Sequence, residues 1–123
     1  MCLLGTVYIA DADQAVGRSI QFLLESDKLS AKVFAEGRGL LDATRLVPPC
    51  CIVADALLPD ISAVMMLRQL RKEGYDIPVI ILSGSSDVPS VVEAVRMGAW
   101  DYFEKPFMQR VLLDSVKRAI AAN

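Results

Sequence analysis

Five short apolar runs, separated by segments with helical periodicity, leave this chain few ways to fold. Thr6-Val7-Tyr8-Ile9-Ala10 runs into Asp11-Ala12-Asp13, Ile52-Val53-Ala54 ends abruptly on Asp55, and Pro78-Val79-Ile80-Ile81-Leu82 ends on Ser83. Ala31–Ala35 and Trp100–Glu104 read as the other two strands. Between them Val16, Ile20, Leu23 and Leu24 recur at i, i+4, i+7 and i+8, the stripe of a helix that Asp13 can cap. Gly37–Thr44 is a short helix stopped by Pro48-Pro49. Ser62 caps a third helix with Val64, Leu67 and Leu70 inward and Gly74 at its end. A fourth helix carries Val88, Val91, Val92 and Val95 on one face before Gly98. The last, Met108–Ala121, turns Leu112, Val116, Ala119 and Ile120 inward. Strands alternating with helices require crossover connections, whose common hand places helices on both faces of a parallel sheet. The expected fold is a doubly wound α/β domain with a five-stranded parallel sheet.

At 123 residues the chain is expected to form one domain, 1–123, burying roughly two thirds of its unfolded surface. Thirteen basic against fifteen acidic residues leave a net charge of -2, with no surplus to neutralise a phosphate backbone, so nucleic acid is not an expected direct partner. The absence of histidine excludes imidazole catalysis and histidine-ligated metals. Cys2, Cys50 and Cys51 cannot all pair and lack metal-ligand spacing, so they read as reduced, mostly buried thiols. No apolar run is long enough to span a membrane, and the N-terminus lacks a signal-peptide pattern, which makes a reducing cytoplasm the expected setting.

In an open parallel sheet, ligands bind beyond the carboxyl ends of the strands. Asp11, Asp13, Asp55, Ser83 and Lys105 all fall there. Each alone has an ordinary reading as a cap, a turn residue or a solvated charge; four polar strand tips together point to one crevice. Phosphoryl transfer to a carboxylate needs such a set. An Asp acts as nucleophile, a hard cation such as magnesium is held by carboxylates, and a hydroxyl and an ammonium bind the remaining phosphoryl oxygens.

These residues, with Pro59-Asp60, Ser83-Gly84 and the block Gly98-Ala99-Trp100-Asp101-Tyr102-Phe103-Glu104-Lys105-Pro106-Phe107, resemble the receiver domain of two-component response regulators over nearly the whole chain. Asp87-Val88-Pro89 with Val92-Glu93-Ala94-Val95 is similar to the subgroup attached to helix-turn-helix or similar output domains. The resemblance implies a CheY-like, flavodoxin-like (βα)5 fold with Asp55 as phosphoacceptor. It implies magnesium on Asp11, Asp55 and the Leu57 carbonyl, Ser83 as the switch hydroxyl, Tyr102 as the rotating aromatic, Lys105 as phosphate partner, and a cis Lys105-Pro106 bond. It further implies a histidine kinase or phosphotransfer protein as donor, an effector domain or downstream protein as recipient, a homodimer through the fourth helix, fifth strand and fifth helix, and no enzymatic role beyond self-phosphorylation and self-dephosphorylation.

Two departures stand out. Ala12 occupies the place of a second metal-binding acid, so magnesium is expected to bind weakly, with Asp13 a candidate ligand through water. Ala63 replaces a glycine after the Pro-Asp turn. Both raise an alternative, a pseudo-receiver that binds partners without phosphate. A distant third reading is a haloacid-dehalogenase-like phosphatase, since Asp11-Ala12-Asp13 resembles that family's first motif with Asp11 as nucleophile and Asp13 as general acid. That family needs a further acidic pair after the lysine, and here only Asp114, mid-helix, follows Lys105.

Overall fold

The computed structural model describes residues 5–84 and 88–122, with the side chains of 88–91 outside that description. Strands β1 (Thr6–Ala10), β2 (Ser30–Phe34), β3 (Cys51–Asp55), β4 (Val79–Ser83) and β5 (Asp101–Glu104) alternate with helices α1 (Gln14–Ser26), α2 (Gly37–Leu46), α3 (Ala63–Lys72), α4 (Val88–Arg96) and α5 (Gln109–Ala122). All pairings are parallel and the sheet order is β2-β1-β3-β4-β5, so the order reverses between β1 and β3. The doubly wound fold expected from the sequence is the one observed.

The two-residue period of the strands sorts the core into two layers. Tyr8, Ala10, Ile52, Ala54, Val79 and Ile81 face Leu40 and Leu41 of α2, Met66, Leu67 and Leu70 of α3 and Ala94 of α4. The alternate residues Val7, Ile9, Cys51, Val53, Ile80 and Leu82 face Ile20 and Leu24 of α1 and Leu112, Val116 and Ala119 of α5. Full burial of each large aliphatic side chain contributes roughly 1.5–3 kcal/mol. β1, β3 and β4, buried along nearly their whole length, therefore form the centre of the core.

Several expectations shift. Among the described side chains of α4, Ala94 is buried whereas Val92 and Val95 are 46% and 65% exposed, so that part of the valine face points outward; Val88 and Val91 lie outside the described side chains. A valine every three or four residues marks a face without saying which way it points. Trp100 precedes β5 and is partly exposed. Cys51 is a buried free thiol whose pKa burial pushes up to about 12. Cys50 is disulfide-bonded, which corrects the expectation of three reduced thiols, and Cys2 lies outside the described residues. Among the described residues, no helix is long and apolar enough to cross a membrane.

The loop between β3 and α3 rests on the start of α2. A Cβ on Gly37 would overlap Cγ2 of Ile61, a β-branched side chain with little freedom to withdraw, and would press on Leu58. Gly37→Ala is therefore expected to cost about 1–3 kcal/mol through overpacking, read as a lowered urea midpoint at unchanged m-value. A midpoint equal to that of the wild type would show that the loop does not seat on Gly37.

Candidate functional site

Parity along the strands decides which tip residues can meet. Asp55 has the parity of Val53 and Cys51, so its side chain emerges on the α1/α5 side of the sheet at the carboxyl end. Asp11, one residue past Ala10, follows the same alternation. Lys105 is held at the end of β5 by its N–H, which donates to the Ser83 carbonyl at 2.7 Å. Its side chain spans the tip of β4 and places Nζ 2.8 Å from Asp11 Oδ2 and 3.3 Å from Asp55 Oδ2. The Lys105–Pro106 bond is cis, as expected.

The two carboxylates are not equivalent. Asp11 is buried, with a side chain 1% exposed, and both its oxygens accept: Oδ1 from the Asp13 N–H at 2.9 Å and Oδ2 from Lys105. The Asp55 side chain is 16% exposed and its bonds are long, 3.3 Å from the Leu57 N–H and 3.3 Å from Lys105. Asp55 is thus the accessible and loosely held acid, and Asp11 the fixed one. Burial works against the Lys105 charge, but the hydrogen bonds and charges of Asp11 and Asp55 outweigh it and raise the lysine pKa above its ordinary value. With the pKa raised in the folded state, the stability this pairing contributes is fully present below the ordinary lysine value of about 10.4 and is lost only as pH climbs through the higher folded value.

The other tip residues divide between roles. Ser83 is buried one residue beyond Leu82, the register partner of Asp55. Tyr102 lies against the α2/α3/α4 layer, and its buried hydroxyl has no hydrogen-bond partner among the described residues. Leu57 exposes its side chain to solvent and forms an antiparallel bridge with Ser62 that closes the loop. Asp13 caps α1, its Oδ1 accepting from the Ala15 N–H at 3.0 Å. Ala63, fully buried, opens α3 behind the Ser62 cap, a helical position that asks nothing special of a glycine.

Sequence reading missed Asp60. Its Oδ1 accepts from the Gly37 N–H at 2.9 Å and its Oδ2 from the Arg38 N–H at 2.8 Å, so it caps α2 across the fold, while the adjacent Glu36 makes no side-chain cap. A cap 22 and 23 residues distant leaves no local spacing to find. Burial acts to raise its pKa, but the Arg38 and Gly37 donors hold the carboxyl below the usual range. A depressed pKa means that this stabilisation is present above about pH 4 and is lost as pH falls through the lowered folded value.

The donor set fits a hard dication that keeps several waters: two carboxylates, Asp11 and Asp55, lie close enough to share one ammonium, and magnesium commonly takes only one or two protein carboxylates. Among the described residues no three acidic, cysteine or histidine side chains converge as a metal cage, and Oδ1 of Asp13 is engaged in capping α1.

A parallel sheet with an accessible acid at its switch point, a second buried acid and a bridging lysine defines a domain of the CheY-like phosphoryl-signalling class. The family profile described as the response regulator receiver domain matches residues 7–117, and the chain belongs to that family. It is 37% identical over 117 residues to the transcriptional regulatory protein FixJ of Azorhizobium caulinodans, covering 95% of this chain and 56% of the relative. It is 34% identical over 114 residues to the response regulator protein TodT of Pseudomonas putida, covering 93% and 50%. The crystal structure of FixJ-N superposes with a TM-score of 0.88 at 34% identity, covering 97% of this chain and 95% of that one. The chain thus spans about half the length of the curated relatives it matches. It is a signalling receiver domain, and neither the pseudo-receiver nor the phosphatase reading is favoured.

If Lys105 binds both acids as the distances indicate, a double-mutant cycle between Lys105→Met and Asp11→Asn is expected to give a coupling of about 1–3 kcal/mol in denaturation at pH 7. A coupling below about 0.5 kcal/mol would mean that solvent screens the pair.

Proposed function

We propose that Asp55 accepts a phosphoryl group from the phosphohistidine of a histidine kinase or phosphotransfer protein. The observation that carries this reading is the asymmetry of the acids: Asp55 is the exposed one and Asp11 has both oxygens engaged, which also speaks against Asp11 as a nucleophile. An Asp55 oxygen forms the new bond to phosphorus as the phosphorus–nitrogen bond breaks and the imidazole leaves. Lys105, already 3.3 Å from Asp55, is positioned to neutralise the charge that arrives with the phosphoryl oxygens. Asp11, Asp55 and the Leu57 carbonyl would hold magnesium, whose chemistry there is to offset charge on the phosphoryl oxygens. With Ala12 exposed and carrying no side-chain oxygen, we take that affinity to be low.

Ser83 and Tyr102 would carry the change outward. Leaving a buried hydroxyl unpaired costs about 1–3 kcal/mol, so the inward Tyr102 is not held by its hydroxyl and a ligand that shifts Ser83 can bias its rotamer. The receiving surface we assign is α4, β5 and α5, where Val92, Val95 and Val111 are exposed and available to an effector domain, a downstream protein or a second copy. The donor would approach over the apolar cleft of about 510 Å³ that Val16, Ile20 and Leu23 of α1 form with Lys105, Pro106 and Phe107, because it adjoins Asp55's partner lysine.

Acetyl phosphate with magnesium is expected to add one phosphoryl group to the wild-type chain, seen by mass spectrometry, and none to Asp55→Ala. The same adduct on Asp55→Ala would move the acceptor elsewhere.

A further inference from the structure

The Asp60 carboxylate ties the loop that carries the site to a helix that contributes no side chain to it. Asp60 lies five residues beyond Asp55, and both its oxygens are used on the first N–H groups of α2. The loop between them is short and internally closed: the Ala56 N–H donates to the Leu82 carbonyl at 2.6 Å, the Ala63 N–H to the Ala56 carbonyl at 3.0 Å, and Leu57 bridges Ser62. Leu58 is buried, and Ile61 sits where a Gly37 Cβ would be. A loop closed at its base and clamped at its tip has little freedom to move Leu57 relative to Asp55.

We infer that Asp60 is a positioning residue for the cation site: by clamping the β3–α3 loop to the N-terminus of α2, it holds the Leu57 backbone carbonyl where it can serve as a ligand beside Asp55. The inference rests on the proposed role of the Asp11, Asp55 and Leu57 oxygens. Two charge-assisted hydrogen bonds and the positive end of the α2 dipole reinforce one another, while the Arg38 side chain, exposed and 4.0 Å away, is screened by solvent and adds little. Asp60 touches neither the cation nor the phosphoryl group, so its removal should act on binding more than on chemistry.

The test is a magnesium titration of wild type, Asp60→Ala, Asp60→Asn and Arg38→Ala, read by calorimetry and by the rate of acetyl-phosphate labelling, with amide hydrogen exchange on the same samples. Asp60→Ala is expected to weaken magnesium about tenfold, to leave the labelling rate at saturating magnesium within about threefold of wild type, and to speed exchange at Gly37, Arg38 and Ala63. Asp60→Asn, which keeps one acceptor oxygen, should lie between the two. Arg38→Ala keeps the backbone N–H and should match wild type. Faster exchange at Gly37 and Arg38 with magnesium affinity unchanged would reduce Asp60 to a helix cap and overturn the inference. A wild-type chain that binds magnesium more tightly than Asp60→Ala yet takes no phosphoryl group would overturn the Asp55 reading while leaving the positioning role standing. A wild-type chain that binds no magnesium would overturn both.

Discussion

The ammonium of Lys105, held between Asp11 and Asp55, is the contact on which the arrangement depends. It joins residues separated by 50 and 94 positions in sequence, from the tips of β1, β3 and β5, which the parallel sheet of order β2-β1-β3-β4-β5 brings together. Two acids on one side of the sheet would repel one another at neutral pH without a counter-charge. The lysine offsets that repulsion in the resting protein, and on the proposed function the same ammonium would meet the charge of a phosphoryl group. The crevice is thus preorganised, with its electrostatic work done by folding.

The legible part of the sequence was whatever short-range periodicity and strand-end chemistry record. Runs such as Val79–Ser83 carry their own assignment, and the tip residues Asp11, Asp55 and Lys105 met as the topology requires. The illegible part was set by partners distant in sequence. Val92 and Val95 repeat at helical spacing, yet both are exposed while Ala94 between them packs against the core. Asp60 looks like a turn residue beside Pro59, and only the approach of α2 turns it into a cap. Asp13, a candidate cation ligand by position, also caps the helix that follows it through Oδ1.

The same geometry weighs the two departures from the family pattern differently. Ala63 begins a capped helix and fills core space, so the exchange costs the loop nothing visible. Ala12 offers no side-chain oxygen to the crevice, and among the described residues no three acidic side chains gather there. On the proposed function the consequence would fall on cation affinity, whereas the contact between Asp55 and Lys105 is intact. A receiver so built would depend more on a well-seated loop than one with a full set of acids.

Fluorine NMR of beryllofluoride, which mimics a phosphoryl group on a carboxylate, addresses the central claim most directly because it reports occupancy of the crevice without relying on turnover. With magnesium in excess, the account predicts bound resonances in the wild-type protein that are absent in Asp55→Asn and weakened in Lys105→Met. Bound resonances of equal intensity in Asp55→Asn would contradict it.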